Sequence, residues 1–149
     1  DEPEISPEAI DGLVKSLAGN PSAAIATLAT PIRDRDQLND PSCVKVVFDR
    51  QGRALYFSRS VIPHPREWDD SLLVDSQFYQ HIGVYAYRRK LLLELAALEP
   101  GRTEKIEKLE QLRVLEHGET ILVTEIDEAT RGIDTAEDYA AFVNRRRAG

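Results

Sequence analysis

With a single cysteine, Cys43, among 149 residues, the chain has neither an internal disulfide nor a thiolate cluster for zinc. Long hydrophobic runs are missing too. None approaches the roughly 20 residues that span a bilayer, and no basic-then-apolar leader opens the chain, so no membrane is expected and the cytoplasm is the expected compartment. Positive charge is short, with 19 Lys plus Arg against 26 Asp plus Glu and a formal charge of −7. A general nucleic-acid binder needs surplus cations to displace counterions from phosphates, which disfavours that class. Small anionic substrates stay open, because local arginines dominate a cleft whatever the total charge. Internal repeats and low-complexity tracts are also absent.

What is present suits one folded domain. The chain is 42% apolar and 30% charged, long enough for one core and not comfortably for two. Asp1-Glu2-Pro3-Glu4-Ile5 opens without a Met or a strand, and residues upstream of it are expected. Ser6 and Pro7 form a helix entry, a side-chain cap followed by a residue whose missing N–H costs nothing in the first turn. Ile10, Leu13, Val14 and Leu17 then share a face at helical spacing, and Gly19 stops the helix.

A buried strand is expected over 23–30, then a loop over 31–42. The runs 44–48 and 54–57 around Asp49-Arg50-Gln51-Gly52 predict a β-hairpin, with Cys43 as a small buried residue at its start. Residues 63–77 read as a long exposed loop, of a kind more often functional than incidental. Tyr79, His81, Gly83, Tyr85 and Tyr87 alternate onto one side of a strand. A helix starts at Leu91 and ends at Pro100-Gly101. Another is capped by Thr103 with Ile106, Leu109, Leu112 and Leu115 as its stripe. Ile121 to Val123 form a last strand, and Thr135 with Asp138 resembles a capping box for a final helix. Alternating strands and helices predict an α/β layered domain, to which the hairpin adds antiparallel strands.

Several polar residues stand where folding alone does not ask for them. Arg59 ends a strand in Ser58-Arg59-Ser60 and offers either a forked donor to a carboxylate or an ordinary surface charge. Arg66 follows in the loop. His81 and Tyr85 lie four residues apart on one strand face, about 13 Å in a regular strand. They form either a half-buried aromatic face or the lining of a pocket for a hydroxyl-rich ligand. Glu110, in Glu110-Gln111, is a boundary carboxylate, paired with Arg113 or accepting from ligand hydroxyls. Asp134 is a helix cap or a ligand for a hard cation such as Mg²⁺, with Asp1 as a second candidate. Trp68 and His64 receive no role.

These residues sit in segments that resemble the CMP-Kdo synthetases (3-deoxy-manno-octulosonate cytidylyltransferases) from Asp1 almost to the C-terminus. The matching segments are Asp1 to Pro3, Ala26 to Ala29, Val44 to Val47, Ala54 to Arg59, Ile62-Pro63, His81 to Arg88, Leu109 to Leu115 and Gly132 to Asp138. The resemblance implies a three-layer α/β/α fold of the nucleotide-diphospho-sugar transferase, Rossmann-like type, a mixed sheet with an antiparallel hairpin extension. It implies Mg²⁺-dependent transfer of CMP from CTP to the acid sugar Kdo with release of pyrophosphate, for lipopolysaccharide biosynthesis, by a homodimer. By position, Asp1 and Asp134 match the catalytic metal-binding aspartates. Arg59 suits the Kdo carboxylate, while His81, Tyr85, Glu110 and Gln111 suit its hydroxyls, and Arg66 matches a further basic position. The family's N-terminal Pro-Ala-Arg…Ser…Arg-Leu-Pro-Lys type loop, which holds the triphosphate, is absent from these residues. Residues 1–149 are therefore expected to be the C-terminal sugar-acid-binding and dimerisation part of a single cytidylyltransferase domain, inactive alone. The competing readings are a cytidylyltransferase for another acid sugar, such as a sialic acid, and a non-catalytic sugar-acid-binding or dimerisation module.

Overall fold

A computed structural model describes residues 2–127, 132, 133 and 135–148, apart from the side chains of Asp138 and Ala148. In chain order the elements are α1 (Pro7–Gly19), β1 (Ile25–Pro31), α2 (Arg35–Asn39), β2 (Lys45–Phe48), β3 (Ala54–Ser58) and α3 (Ser71–Val74). They continue with β4 (Tyr79–Tyr87), α4 (Arg89–Leu95), α5 (Arg102–Glu107), α6 (Gln111–Glu116), β5 (Ile121–Glu125) and α7 (Ala136–Ala148). The strands form one sheet in the order β3-β2-β4-β1-β5. Only β1 and β5 run parallel; β4 pairs antiparallel with both β1 and β2, and β2 with β3. The expected mixed α/β sheet with a hairpin extension is therefore present.

Helices cover both faces. On one, Ala9, Leu13 and Leu17 of α1 pack on Ala26, Leu28, Ile82 and Leu122. On the other, Leu91, Leu109, Leu112 and Val114 meet Ile25, Ala29, Val46, Phe57, Ile121 and Val123. Period-two alternation in β1 sends Ala26 and Leu28 to the first face and Ile25, Thr27 and Ala29 to the second. Ser6 caps α1 as expected, its hydroxyl accepting from Ala9 N at 3.1 Å. The buried stripe is Ala9, Leu13 and Leu17, however, and Ile10 and Val14 are 43% and 55% exposed. The flat Ala- and Leu-lined strand surface meets only the i, i+4 row centred on Leu13.

The hairpin turn is held by Asp49, whose Oδ1 accepts from Gln51 N and Arg53 N at 2.8 and 2.9 Å. Gly52 has φ 73°, and its carbonyl accepts from Val123 N at 2.7 Å, tying the turn to β5. A Cβ at this position would stand 3.1 Å from Val123 O. Gly52→Ala is expected to lose about 1–2 kcal/mol of stability from the left-handed backbone alone, readable as a lower urea midpoint.

Three segments depart from the sequence reading. Residues 31–42 and 63–77, expected as loops, contain α2 and α3, whose Leu38 and Leu73 join Ile32, Cys43 and Phe78 in a third small core. Trp68 stacks on Phe78 at 6.2 Å, and the Arg35 guanidinium lies 4.4 Å over its ring. The single helix expected after Thr103 is two short ones, broken at Lys108, whose φ is 56°. That left-handed step rephases the chain. Leu109, Leu112 and Val114 turn inward, while Ile106 is 74% exposed.

Candidate active site

The site begins with an irregularity between β1 and β4. Thr27 stands opposite Tyr85 and the next residue, Leu28, opposite Ile82, so Gly83 and Val84 have no partners in the ladder. The two extra residues bulge out and shorten the path between their neighbours. His81 and Tyr85, about 13 Å apart in a regular strand, bring their ring centroids to 5.4 Å. The bulge is what brings them together. Tyr85 in turn lies 5.7 Å from Tyr87, and Phe57 meets the His81 ring edge-on at 5.0 Å.

Beside this aromatic row, the break at Lys108 opens a cavity of about 280 Å³ lined by Tyr85, Tyr87, Leu95, Leu109, Val114 and the polar Lys108, Glu110 and Gln111. Tyr85, Glu110 and Gln111, named from sequence, therefore converge on one space, with His81 against Tyr85. Gln111 is buried and Glu110 exposed. Glu110 does not pair with Arg113, as was one expectation. Arg113 turns instead to Glu104, with Nη2–Oε1 at 2.6 Å and Nε–Oε2 at 2.8 Å, and its Nη1 donates to Leu98 O at 3.0 Å. Glu104 is buried and needs the forked donor more than solvated Glu110 does. The consequence is that Arg113 leaves the Glu110 carboxylate at the cavity wall without an ion pair among the described residues.

Arg59 reaches the same neighbourhood by another route. Its N–H donates to Glu107 Oε2 at 3.0 Å and its Nε to Glu107 O at 2.9 Å. Nη1 donates to Pro41 O at 3.0 Å, and Ser58 Oγ donates to Glu107 Oε1 at 2.6 Å. Glu107 is the residue before Lys108, so this clamp joins the end of β3 to the cavity rim. Lys45, fully buried, donates to Asp40 O and Cys43 O at 2.9 and 2.6 Å, fixing the loop that receives Arg59.

Burial sets the protonation of the aromatic row. It lowers the His81 pKa to about 4, so the imidazole is neutral at pH 7. It raises Tyr85 and Tyr87, with Glu110 adding to both, and the phenols stay neutral donors. A cavity of neutral donors and acceptors, with one carboxylate from Glu110 and one ammonium from Lys108, suits a ligand rich in hydroxyls.

Arg66 is exposed in the loop before α3 and does not line the cavity. Asp1 and Asp134 lie outside the described residues. Among the described residues no group of three or more His, Cys, Asp or Glu is placed to hold a metal ion. Sequence reasoning missed Thr27, Glu107, Lys108 and Lys45. A polar Thr27 in Ala-Thr-Leu-Ala and a Lys within Val44 to Phe48 were visible signals; nothing local marks Glu107 or Lys108.

A mixed sheet layered by helices on both faces is the α/β fold of nucleotidyltransferases. The family model described as cytidylyltransferase matches residues 1–121, and the chain belongs to that family. A 3-deoxy-manno-octulosonate cytidylyltransferase of Rhodopirellula baltica is 49% identical over 97% of this chain and 59% of its own length. The enzyme of that name from Syntrophotalea carbinolica is 47% identical over 93% and 57%. A solved structure of a CMP:2-keto-3-deoxy-manno-octonic acid synthetase complexed with CTP superimposes with a TM-score of 0.84 at 36% identity, covering 99% of this chain and 57% of that one. This chain thus spans just under three fifths of the relatives it matches. No helix among the described residues is long and apolar enough to cross a membrane.

Proposed function

We propose that the protein carrying this chain transfers CMP from CTP to the acid sugar Kdo, releasing pyrophosphate, and that this chain is the sugar-acid-binding part of its single domain. The observation that supports this reading is the convergence of Tyr85, Glu110 and Gln111 on one cavity with neutral His81 behind it. Glu110 accepts from sugar hydroxyls, Tyr85 and Gln111 donate and accept, and Arg59 meets the sugar carboxylate with the guanidinium edge that Glu107 and Pro41 leave free. Arg66 adds positive charge from its exposed loop.

Asp1 and Asp134 are hard oxygen donors, the type that Mg²⁺ takes, and would hold that ion. When bound it supplies neutralisation of the charge that builds on the phosphate and attacking hydroxyl. The sugar residues orient the anomeric hydroxyl toward the α-phosphate, and orientation is a large share of catalysis in such transfers. A cytoplasmic homodimer for lipopolysaccharide biosynthesis is part of the reading, with exposed Leu92, Leu93 and Ile106 as apolar surface available to it. Sedimentation equilibrium checks the dimer.

The whole natural protein, given CTP, Mg²⁺ and a panel of acid sugars, is expected to release pyrophosphate with Kdo and not with a sialic acid. Glu110→Gln is expected to raise the KM for Kdo about tenfold and leave the KM for CTP alone. Equal turnover of both sugars, or none of Kdo, would sink the assignment.

A further inference from the structure

We infer that Thr27 is a positioning residue. It holds His81 in the tautomer with the proton on Nε2, so that Nδ1 is a bare acceptor that selects a hydroxyl of the bound sugar acid. The bulge in β4 turns the carbonyls of Ile82 and Val84 toward β1, where Thr27 Oγ1 lies 3.2 and 2.9 Å from them. The same oxygen lies 3.0 Å from His81 Nε2. One hydroxyl offers one proton and two lone pairs, and a carbonyl oxygen only accepts.

The proton therefore goes to the carbonyls. Sent to Nε2 instead, it would leave both carbonyl oxygens facing the lone pairs of Oγ1. Thr27 is fully buried, so no water relieves them there. Oγ1 accepts, and the imidazole donates from Nε2. A neutral ring carries one proton, which leaves Nδ1 without one, and burial keeps the ring neutral. Among the described residues, none hydrogen-bonds Nδ1. A ligand atom that meets it must be a donor, so a hydroxyl fits and a keto or carboxylate oxygen does not. The ring does not itself line the cavity; it stands against Tyr85, which does, with ring centroids 5.4 Å apart, and the preference acts on a ligand that reaches past Tyr85.

The sugar-hydroxyl half of the inference rests on the function proposed above, and the tautomer half does not. Long-range ¹⁵N NMR of the histidine rings in the whole natural protein at pH 7, without ligand, reads the tautomer directly. His81 is expected to show a protonated, pyrrole-type Nε2 and an unprotonated Nδ1. Thr27→Ser is expected to keep this pattern, and Thr27→Val to lose it toward Nδ1–H or a mixture. In turnover, Thr27→Val is expected to raise the KM for Kdo about tenfold while Thr27→Ser stays within about twofold. A wild-type His81 protonated on Nδ1 overturns the inference, even should Thr27→Val fail to fold. An Nε2–H ring with no Kdo turnover would overturn the function and the hydroxyl selection, and leave Thr27 as the residue that sets the tautomer.

Discussion

Between pH 6.5 and pH 5 the protein will lose about 2 kcal/mol of folding stability through one side chain, His81. Its folded pKa of about 4 lies below the 6.5 of an exposed imidazole, and the cause is burial. Well above pH 6.5 the ring is neutral in folded and unfolded chains and contributes no slope. From there down to pH 4 the unfolded chain binds a proton that the folded chain refuses, so stability falls as pH falls. Well below pH 4 both forms are charged and the loss levels off, at about 3 kcal/mol.

Asp40, Asp49, Asp69 and Glu104 have carboxyls held below their usual range, the first three by bonds to Ser42, Arg53 and Ser71 and the last by Arg113. Their stability is present above the ordinary carboxylate pKa and is lost as pH falls below it, which leaves the interval from 6.5 to 5 to His81. Urea titrations across that interval should give a sloping stability for wild type and a slope reduced by this amount for His81→Gln. An unchanged slope would show that the ring protonates freely and is not enclosed.

Arg59→Ala in the whole protein is expected to lower kcat/KM for Kdo about 100-fold, chiefly through KM, while the KM for CTP holds. Removing one partner of a desolvated, hydrogen-bonded charge pair costs roughly 2–5 kcal/mol, and the lower half of that range gives this factor. The clamp makes the effect specific. Glu107 O and Pro41 O take Nε and Nη1, and Glu107 Oε2 takes the Arg59 N–H, which fixes the plane of the guanidinium. Arg59→Lys restores charge but neither the fork nor the anchors, and is expected to recover little of the loss. Recovery to near wild type with Lys, or an equal rise in both KM values, would remove Arg59 from the sugar carboxylate.

Local grammar was legible wherever neighbours in sequence are neighbours in space. The Ser6-Pro7 entry to α1, the hairpin around Gly52, the strand at Tyr79 to Tyr87 and the last strand at Ile121 all follow from caps, turn residues and alternation. The resemblance in eight short segments named a family that the comparisons bear out. It also picked Tyr85, Glu110 and Gln111, which share a cavity, and Arg59, which is clamped beside its rim. Arg66 stays apart on its loop, and Asp1 and Asp134 lie outside the described residues.

Spacing alone misled where a distant partner decides the backbone. The α5–α6 break reads as continuous helix, because the cost of a left-handed Lys108 is met by burial of Leu109, Leu112 and Val114 against strands far away in sequence. Arg113 has Glu110 three residues back, yet it takes Glu104 on another helix, since the buried carboxylate has more to gain.

The chain by itself determined which stretches become strands and helices, where the hairpin turns, and which polar residues stand out of place. Tertiary structure alone decided that His81 and Tyr85 touch, that Thr27 sits beneath them, and that Arg59 is anchored to Glu107. The physical reason is that a bulge, a tautomer and a clamp each depend on groups roughly 50 residues apart being brought within hydrogen-bond reach. No local preference for φ, ψ or period encodes that pairing; the folded sheet does.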